Sequence, residues 1–131
     1  MADTFLSKTL VLANTTKTAL YTVPTADSTV VPQTAGVTAL IKSIRIYNAH
    51  TANVLATVSF KDVDSDTADD TESTLFNMYV PATALTTDSF PIGNPVELLT
   101  EPLVANEGDI IYVKAGTAAK LHVHLSVLEI T

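Results

Sequence analysis

Apolar and polar residues alternate one by one along most of this chain. The alternation is clearest between Val54 and Lys61 and again between Leu121 and Val127. A period of two places successive side chains on opposite faces of a β-strand, so each such strand has one apolar face to bury. No window of a dozen residues shows the 3.6-residue apolar period of an amphipathic helix. The pattern therefore predicts an all-β fold.

The composition agrees with this fold class. Among the 131 residues are 21 Thr and 14 Val, and β-branched side chains pack well on a pleated sheet. Hydrophobic residues make up 47% of the chain and charged residues only 16%, which argues against disorder. A chain of this length fits one domain with its own core.

The pattern predicts about eight antiparallel strands in a single β-sandwich or jelly-roll-like domain covering residues 1–131. The predicted strands are Phe5–Ala13, Ala19–Val23, Leu40–Asn48, Val54–Lys61, Thr74–Val80, Val96–Thr100, Ile110–Ala115 and Leu121–Val127. Long loops are expected near residues 25–36, 62–73 and 81–95, with at most one turn of helix in residues 81–87. A tight turn is expected at residues 107–109, just before Ile110.

Several classes of function have little support in the sequence. The chain has no Cys, which excludes disulfides, zinc–thiolate sites and a Cys nucleophile. It contains no nucleophile-elbow motif and no glycine-rich phosphate loop, so we expect neither an enzyme nor a bound cofactor. The net charge of −7 works against nucleic-acid binding. No apolar run suggests a membrane span, and the first residues lack the pattern of a secretory signal.

An acidic cluster is the sharpest local feature. Six of the fourteen acidic residues lie within residues 62–72, and Asp62-x-Asp64-x-Asp66 imitates the start of a calcium loop. The imitation fails where Thr67 replaces the turn glycine and Ser73 replaces the bidentate glutamate. We therefore predict a solvated loop rather than a metal site. The candidate ligands for a hard cation are Asp62, Asp64, Asp66 and Asp70.

His122 and His124 form a second, weaker metal candidate. Two imidazoles at positions i and i+2 of a strand point to the same side, but a metal site would need further ligands. The only other histidine, His50, is expected in a turn. The expected alternatives are a wet strand face or a subunit contact, where clustered histidines would make assembly sensitive to pH.

Three segments, taken together, resemble small β-sandwich virion proteins of tailed bacteriophages. They are LANTTKTALYTVP (residues 12–24), ALIKSIRIYN (residues 39–48), and NEGDIIYVKAG followed by LHVHLSVLEI (residues 106–116 and 121–130). The resemblance covers most of the chain outside the loops. One departure is visible: fourteen residues separate Pro24 from Ala39, where the family usually has a short glycine-containing turn.

The resemblance implies a structural protein on the capsid exterior of a virion. Such a protein decorates and cements the capsid, with the major capsid protein or neighbouring virion proteins as partners, and commonly forms a homotrimer. It would bind neither nucleic acid nor a membrane. Two alternatives remain open: a head-fibre or tail component with the same sandwich, and a carbohydrate-binding module for host attachment. The absence of Trp weighs against the last, because sugars usually stack on aromatic rings, and only Tyr21, Tyr47, Tyr79 and Tyr112 could serve.

The predicted absence of a cation site can be checked by calorimetry. Neither a chelator nor Ca²⁺ should shift the melting temperature, because self-repelling carboxylates in a solvated loop hold hard cations weakly. A melting temperature that falls in EDTA and recovers with Ca²⁺ would contradict this prediction. Replacement of Asp64 and Asp66 by Asn should then abolish the recovery.

Overall fold

The computed structural model describes residues 3–26, 36–63, 71–82, 84–85, 91–92 and 96–131. Within these ranges the chain forms strands and no helix, so none of them contains a helix that could cross a membrane. The strands are β1 (Asp3–Val11), β2 (Thr18–Thr22), β3 (Thr38–Asn48), β4 (Val54–Asp62), β5 (Thr71–Val80), β6 (Ala84–Leu85), β7 (Pro91–Ile92), β8 (Val96–Glu97), β9 (Leu103–Ala105), β10 (Ile110–Ala115) and β11 (Leu121–Ile130).

Nine of these strands form two antiparallel sheets. Sheet A has the order β1-β11-β3, and both β8 and β9 pair with the remaining edge of β3. Sheet B has the order β2-β10-β4-β5, while β6 and β7 pair only with each other. The prediction of an all-β sandwich in a single domain is confirmed.

The core lies between the two sheets and consists of the inward residues of each strand. The alternation reflects this arrangement, because along most of β3, β4, β10 and β11 the buried side chains alternate with more exposed ones. The largest fully buried side chains are Leu12, Val23, Ile41, Ile44, Ile46, Val54, Val58, Val80, Ile111, Val113, Leu121 and Leu125. Full burial of each such side chain contributes about 1.5–3 kcal/mol to folding.

The strand boundaries differ from the predicted ones mainly at the edge of sheet A where β8 and β9 pair with β3. The predicted strand at residues 96–100 ends at Glu97, and β9 was not predicted because three residues after Pro102 carry no readable alternation. In residues 81–87, Ala84 and Leu85 form strand rather than helix. The predicted loops fall largely on residues 27–35, 64–70, 83, 86–90 and 93–95, which lie outside the described residues.

The predicted turn at residues 107–109 is confirmed, and a buried carboxylate holds it. Gly108 has a φ of 87°, which favours glycine. Asp109 is only 2% exposed, and its carboxylate accepts hydrogen bonds from the backbone N–H of Asn106 (2.8 Å) and of Val63 (3.0 Å). Asp109 therefore joins the turn before β10 to the end of β4.

A side chain completes the edge of sheet A where β3 bulges. The pairing of β3 with β11 shifts register near Lys42, and no ladder pair to β8 or β9 is made at residues 42–44. The Glu97 carboxylate takes this place by accepting hydrogen bonds from the Ile44 N–H (3.0 Å) and the Ser43 hydroxyl. The carboxylate thus takes the place of a strand partner for the Ile44 N–H, while the Ile44 carbonyl accepts from the Leu98 N–H at 2.9 Å.

Asn48 is the last residue of β3, and its side chain holds this end of the strand. Its side-chain amide donates to the carbonyls of Ala52 (2.9 Å), Val80 (3.0 Å) and Pro81 (3.2 Å), and its Oδ1 accepts from the His50 N–H (2.8 Å). Asn48 is 2% exposed. One buried amide therefore ties the β3–β4 turn to the end of β5, and so joins the two sheets.

Substitution of Asn48 by Ala should destabilise the protein by about 2 kcal/mol, because buried carbonyls lose their donor. Equilibrium urea unfolding measures this change. Asn77→Ala is the matched control, since Asn77 is exposed on β5 and only its Oδ1 accepts from the Thr57 hydroxyl. The control should stay within about 0.5 kcal/mol of the wild type. Equal losses for the two variants would contradict the role given to Asn48.

Candidate functional site

The acidic cluster is divided between strand ends and undescribed residues. Asp62 ends β4, opposite Thr71 at the start of β5, and Glu72 belongs to β5 opposite Lys61. The candidates Asp64, Asp66 and Asp70 lie outside the described residues. In the ranges that are described, no three His, Asp or Glu side chains lie close enough to hold a metal ion.

The two histidines lie side by side on the outer face of sheet A. His122 pairs across the strands with Tyr47, whose ring meets the imidazole edge-on at 5.8 Å, and His124 pairs with Arg45. These side chains and Thr9 line a shallow cavity of about 200 Å³. The Arg45 guanidinium beside His124 disfavours a cation there. The arrangement suits a polar contact surface better than a metal centre.

Arg45 also forms an ion pair at the edge of sheet A. Its Nε lies 3.8 Å from Oε1 of Glu97, the carboxylate that completes the edge of β3. Both side chains are partly exposed, so the pair adds little stability.

An apolar row crosses the same face at the other end of sheet A. Phe5 pairs with Leu128, Leu128 pairs with Leu40, and Leu40 pairs with Val104, so four neighbouring strands each contribute one side chain. Phe5 is 75% exposed and Val104 57% exposed. Because neighbouring strands lie about 4.8 Å apart, this apolar row is roughly 14 Å long.

The apolar row is a feature that the sequence prediction missed. Its four side chains occupy outward positions, where an alternating strand normally carries polar residues. That departure is visible in the sequence, for example in Phe5 beside the inward Leu6. The cross-strand register, which places the four residues side by side, cannot be read from the sequence.

A small network of charged and polar groups occupies the outer face of sheet B. The Lys17 ammonium lies 2.9 Å from both Glu72 oxygens and 4.3 Å from the centre of the Tyr112 ring. The Ser59 hydroxyl donates to Glu72 Oε1 at 2.8 Å. The hydrogen bond from Lys17, followed by that from Ser59, lowers the pKa of Glu72 below its ordinary value. Glu72 is therefore an ionised carboxylate at neutral pH.

Two cavities on this face share a wall. One, of about 280 Å³, lies beside Lys17 and Glu72, and the other, of about 360 Å³, lies beside Thr15 and Gly116. Thr57 and Lys114 line both cavities. We call these two adjacent cavities together the lysine groove. Its lining residues are Thr15, Lys17, Leu55, Thr57, Ser59, Glu72, Thr74, Lys114, Ala115 and Gly116.

The structure leaves one of the four tyrosines free for stacking against a ligand. Tyr79 on β5 is 64% exposed, whereas Tyr47 packs on His122 and Tyr112 lies under Lys17.

Tyr21 is buried, and its hydroxyl donates to Glu129 at 2.7 Å. Burial, reinforced by Glu129, raises the pKa of Tyr21 well above its ordinary value. Tyr21 thus links β2 to β11 across the two sheets.

Comparison with known proteins gives no relative from which a site could be transferred. No family model, curated protein or solved structure matches the chain. The functional argument therefore depends on the exposed faces themselves.

The ion pair between Lys17 and Glu72 predicts a specific dependence of stability on pH. Since the pKa of Glu72 is lowered in the folded state, its stabilising effect is present above the unfolded pKa of about 4.3 and is lost as pH falls through the folded pKa. Glu72→Gln should therefore unfold more easily than the wild type at pH 7, and the difference should vanish at low pH.

Thermal unfolding from pH 7 to pH 3 tests this expectation. Glu101→Gln is the control, because Glu101 is exposed and forms no ion pair or hydrogen bond within the described ranges. A constant difference between Glu72→Gln and the wild type at every pH would contradict the assigned ion pair.

Proposed function

We propose that this protein is a structural virion protein that decorates and cements the outer capsid surface of a tailed bacteriophage. It acts by adhesion rather than by catalysis. Two lines support the proposal: the resemblance of the three sequence segments to such proteins, and the exposed apolar row Phe5–Leu128–Leu40–Val104. The apolar row is the structural observation on which the proposal depends.

The apolar row has the properties of a protein-binding surface. A soluble chain rarely leaves contiguous large apolar side chains in water without a partner. Phe5 is the natural anchor, because it is the largest and most exposed side chain of the row and aromatic residues often contribute most of the binding energy of an interface. Serines and other polar residues flank the row, with Ser7 and Ser126 in the next cross-strand pair. This is the apolar centre and polar rim typical of an interface.

The proposed occupant of the apolar row is the major capsid protein. A cement protein present in many copies stabilises a shell even when each contact is weak, because the contacts act together along the lattice. Self-association into a homotrimer, which the resemblance implies, would place three apolar rows on one unit and strengthen attachment further. The protein would then hold neighbouring capsid subunits together on the capsid exterior.

The copy number in purified virions tests the location. A cement protein is expected in hundreds of copies per particle, which densitometry of stained gels against the major capsid protein measures. A count of six to a few dozen would contradict the proposal and would favour the head-fibre or tail alternative. Binding of the purified protein to a glycan array, with no capsid binding, would instead favour host attachment.

Substitution of Phe5 tests the surface. Phe5→Ser should weaken binding of the purified protein to capsids that lack it by at least tenfold, because an apolar anchor of this size contributes about 1.4 kcal/mol or more. Co-sedimentation measures binding, and the temperature of capsid rupture measures cementing. Tyr79→Ser is the matched control, since Tyr79 is an exposed aromatic residue on sheet B. Equal loss in both variants, or no loss in Phe5→Ser, would contradict the role of the apolar row.

A further inference from the structure

The described residues on the outer face of sheet B carry a net positive charge, opposite in sign to the net charge of the whole chain. Lys17, Lys61 and Lys114 lie on this face, and Glu72 is its only carboxylate among the described residues. Three positive charges and one negative charge give a net +2, whereas the whole chain carries −7. A basic face on an acidic protein orients and attracts a negatively charged partner.

The charges on this face are not equivalent. Lys17 is neutralised by Glu72, at 2.9 Å, and is further held over the Tyr112 ring. Lys114 is exposed and contacts no carboxylate within the part of the chain that the structure describes. It lies opposite Thr57, two cross-strand pairs away from Tyr112 and Ser59 and on the same face. Lys114 is therefore the ammonium group left available in the lysine groove.

The surroundings of Lys114 suit an extended ligand with hydrogen-bonding groups. The two cavities of the lysine groove, about 280 and 360 Å³, meet at Lys114 and Thr57. Hydroxyl groups of Thr15, Thr57 and Thr74 line the groove. A hydroxyl donates or accepts as a partner requires, so the groove can pair with both the carboxylates and the amides of a peptide.

From this arrangement we propose that the lysine groove binds an acidic peptide segment of a partner protein, with a carboxylate of the segment paired to Lys114. A peptide fits better than a nucleic acid for two reasons. The face bears only lysines, and it lacks the arginine forks that recognise phosphates bidentately. The net +2 of the described residues on this face matches one or two carboxylates and is too small to neutralise a run of backbone phosphates.

A nuclear magnetic resonance titration with acetylated, amidated tetraglutamate tests this proposal without any capsid. The peptide should shift the backbone amide signals of Thr57, Lys114 and Gly116, and the shifts should weaken as salt is raised to 0.5 M, because exposed ion pairs are screened. Tetraglutamine, which has the same length and no charge, should cause no such shifts.

Three variants give directional expectations. Lys114→Gln should raise the Kd for tetraglutamate about threefold to fivefold, the size expected for a partly exposed ion pair. Glu72→Gln should lower the Kd, since it removes the competing carboxylate from the groove. Lys8→Gln is the matched control, because Lys8 is an exposed lysine of β1 in sheet A, and it should leave the Kd unchanged.

Several results would overturn the proposal. One is equal weakening by Lys114→Gln and Lys8→Gln, which would show a general charge effect and no groove. Another is a failure of tetraglutamate to shift the named signals. A third is tighter binding of a single-stranded oligonucleotide than of tetraglutamate at the same site, which would assign the groove to nucleic acid. Capsid binding by the apolar row is measured separately, so none of these results depends on it.

Discussion

The sandwich depends on one constraint: each sheet has a single apolar face, and that face is stable only when it covers the apolar face of the other sheet. A shift of one residue in any strand would turn its buried side chains to water. Polar side chains at the margins hold neighbouring strands and the two sheets in place. Asn48 ties the β3–β4 turn to the end of β5, Asp109 joins the turn before β10 to β4, and Tyr21 reaches from β2 to Glu129 on β11.

This division of roles leaves the outer faces free to differ. Sheet A presents an apolar row at one end and a polar patch with His122 and Arg45 at the other. Sheet B presents lysines, hydroxyl groups and the Lys17–Glu72 pair. None of these outward side chains contributes to the core, so the two faces can serve two different partners on one rigid framework.

The sequence predicts the framework better than the surfaces. Alternation along β3, β4, β10 and β11 was enough to predict the class of fold and the main strands, because burial on one face imposes a period of two. It could not predict β9, which is too short, or the position of Glu97 at the bulge, which depends on a contact 53 residues away in sequence. The apolar row and the lysine groove depend on cross-strand register, which is a property of the assembled sheet.

The Glu97 carboxylate at the bulge of β3 also limits where a further strand can add to sheet A. Within the described residues, β8 and β9 cover the β3 side in two short pieces with a charged group between them, so this side is a poor template for another strand. The β1 side is a single run of nine residues. Sheet A can therefore gain a further strand at its β1 edge but not readily at its β3 edge, so addition of strands to this sheet is one-sided.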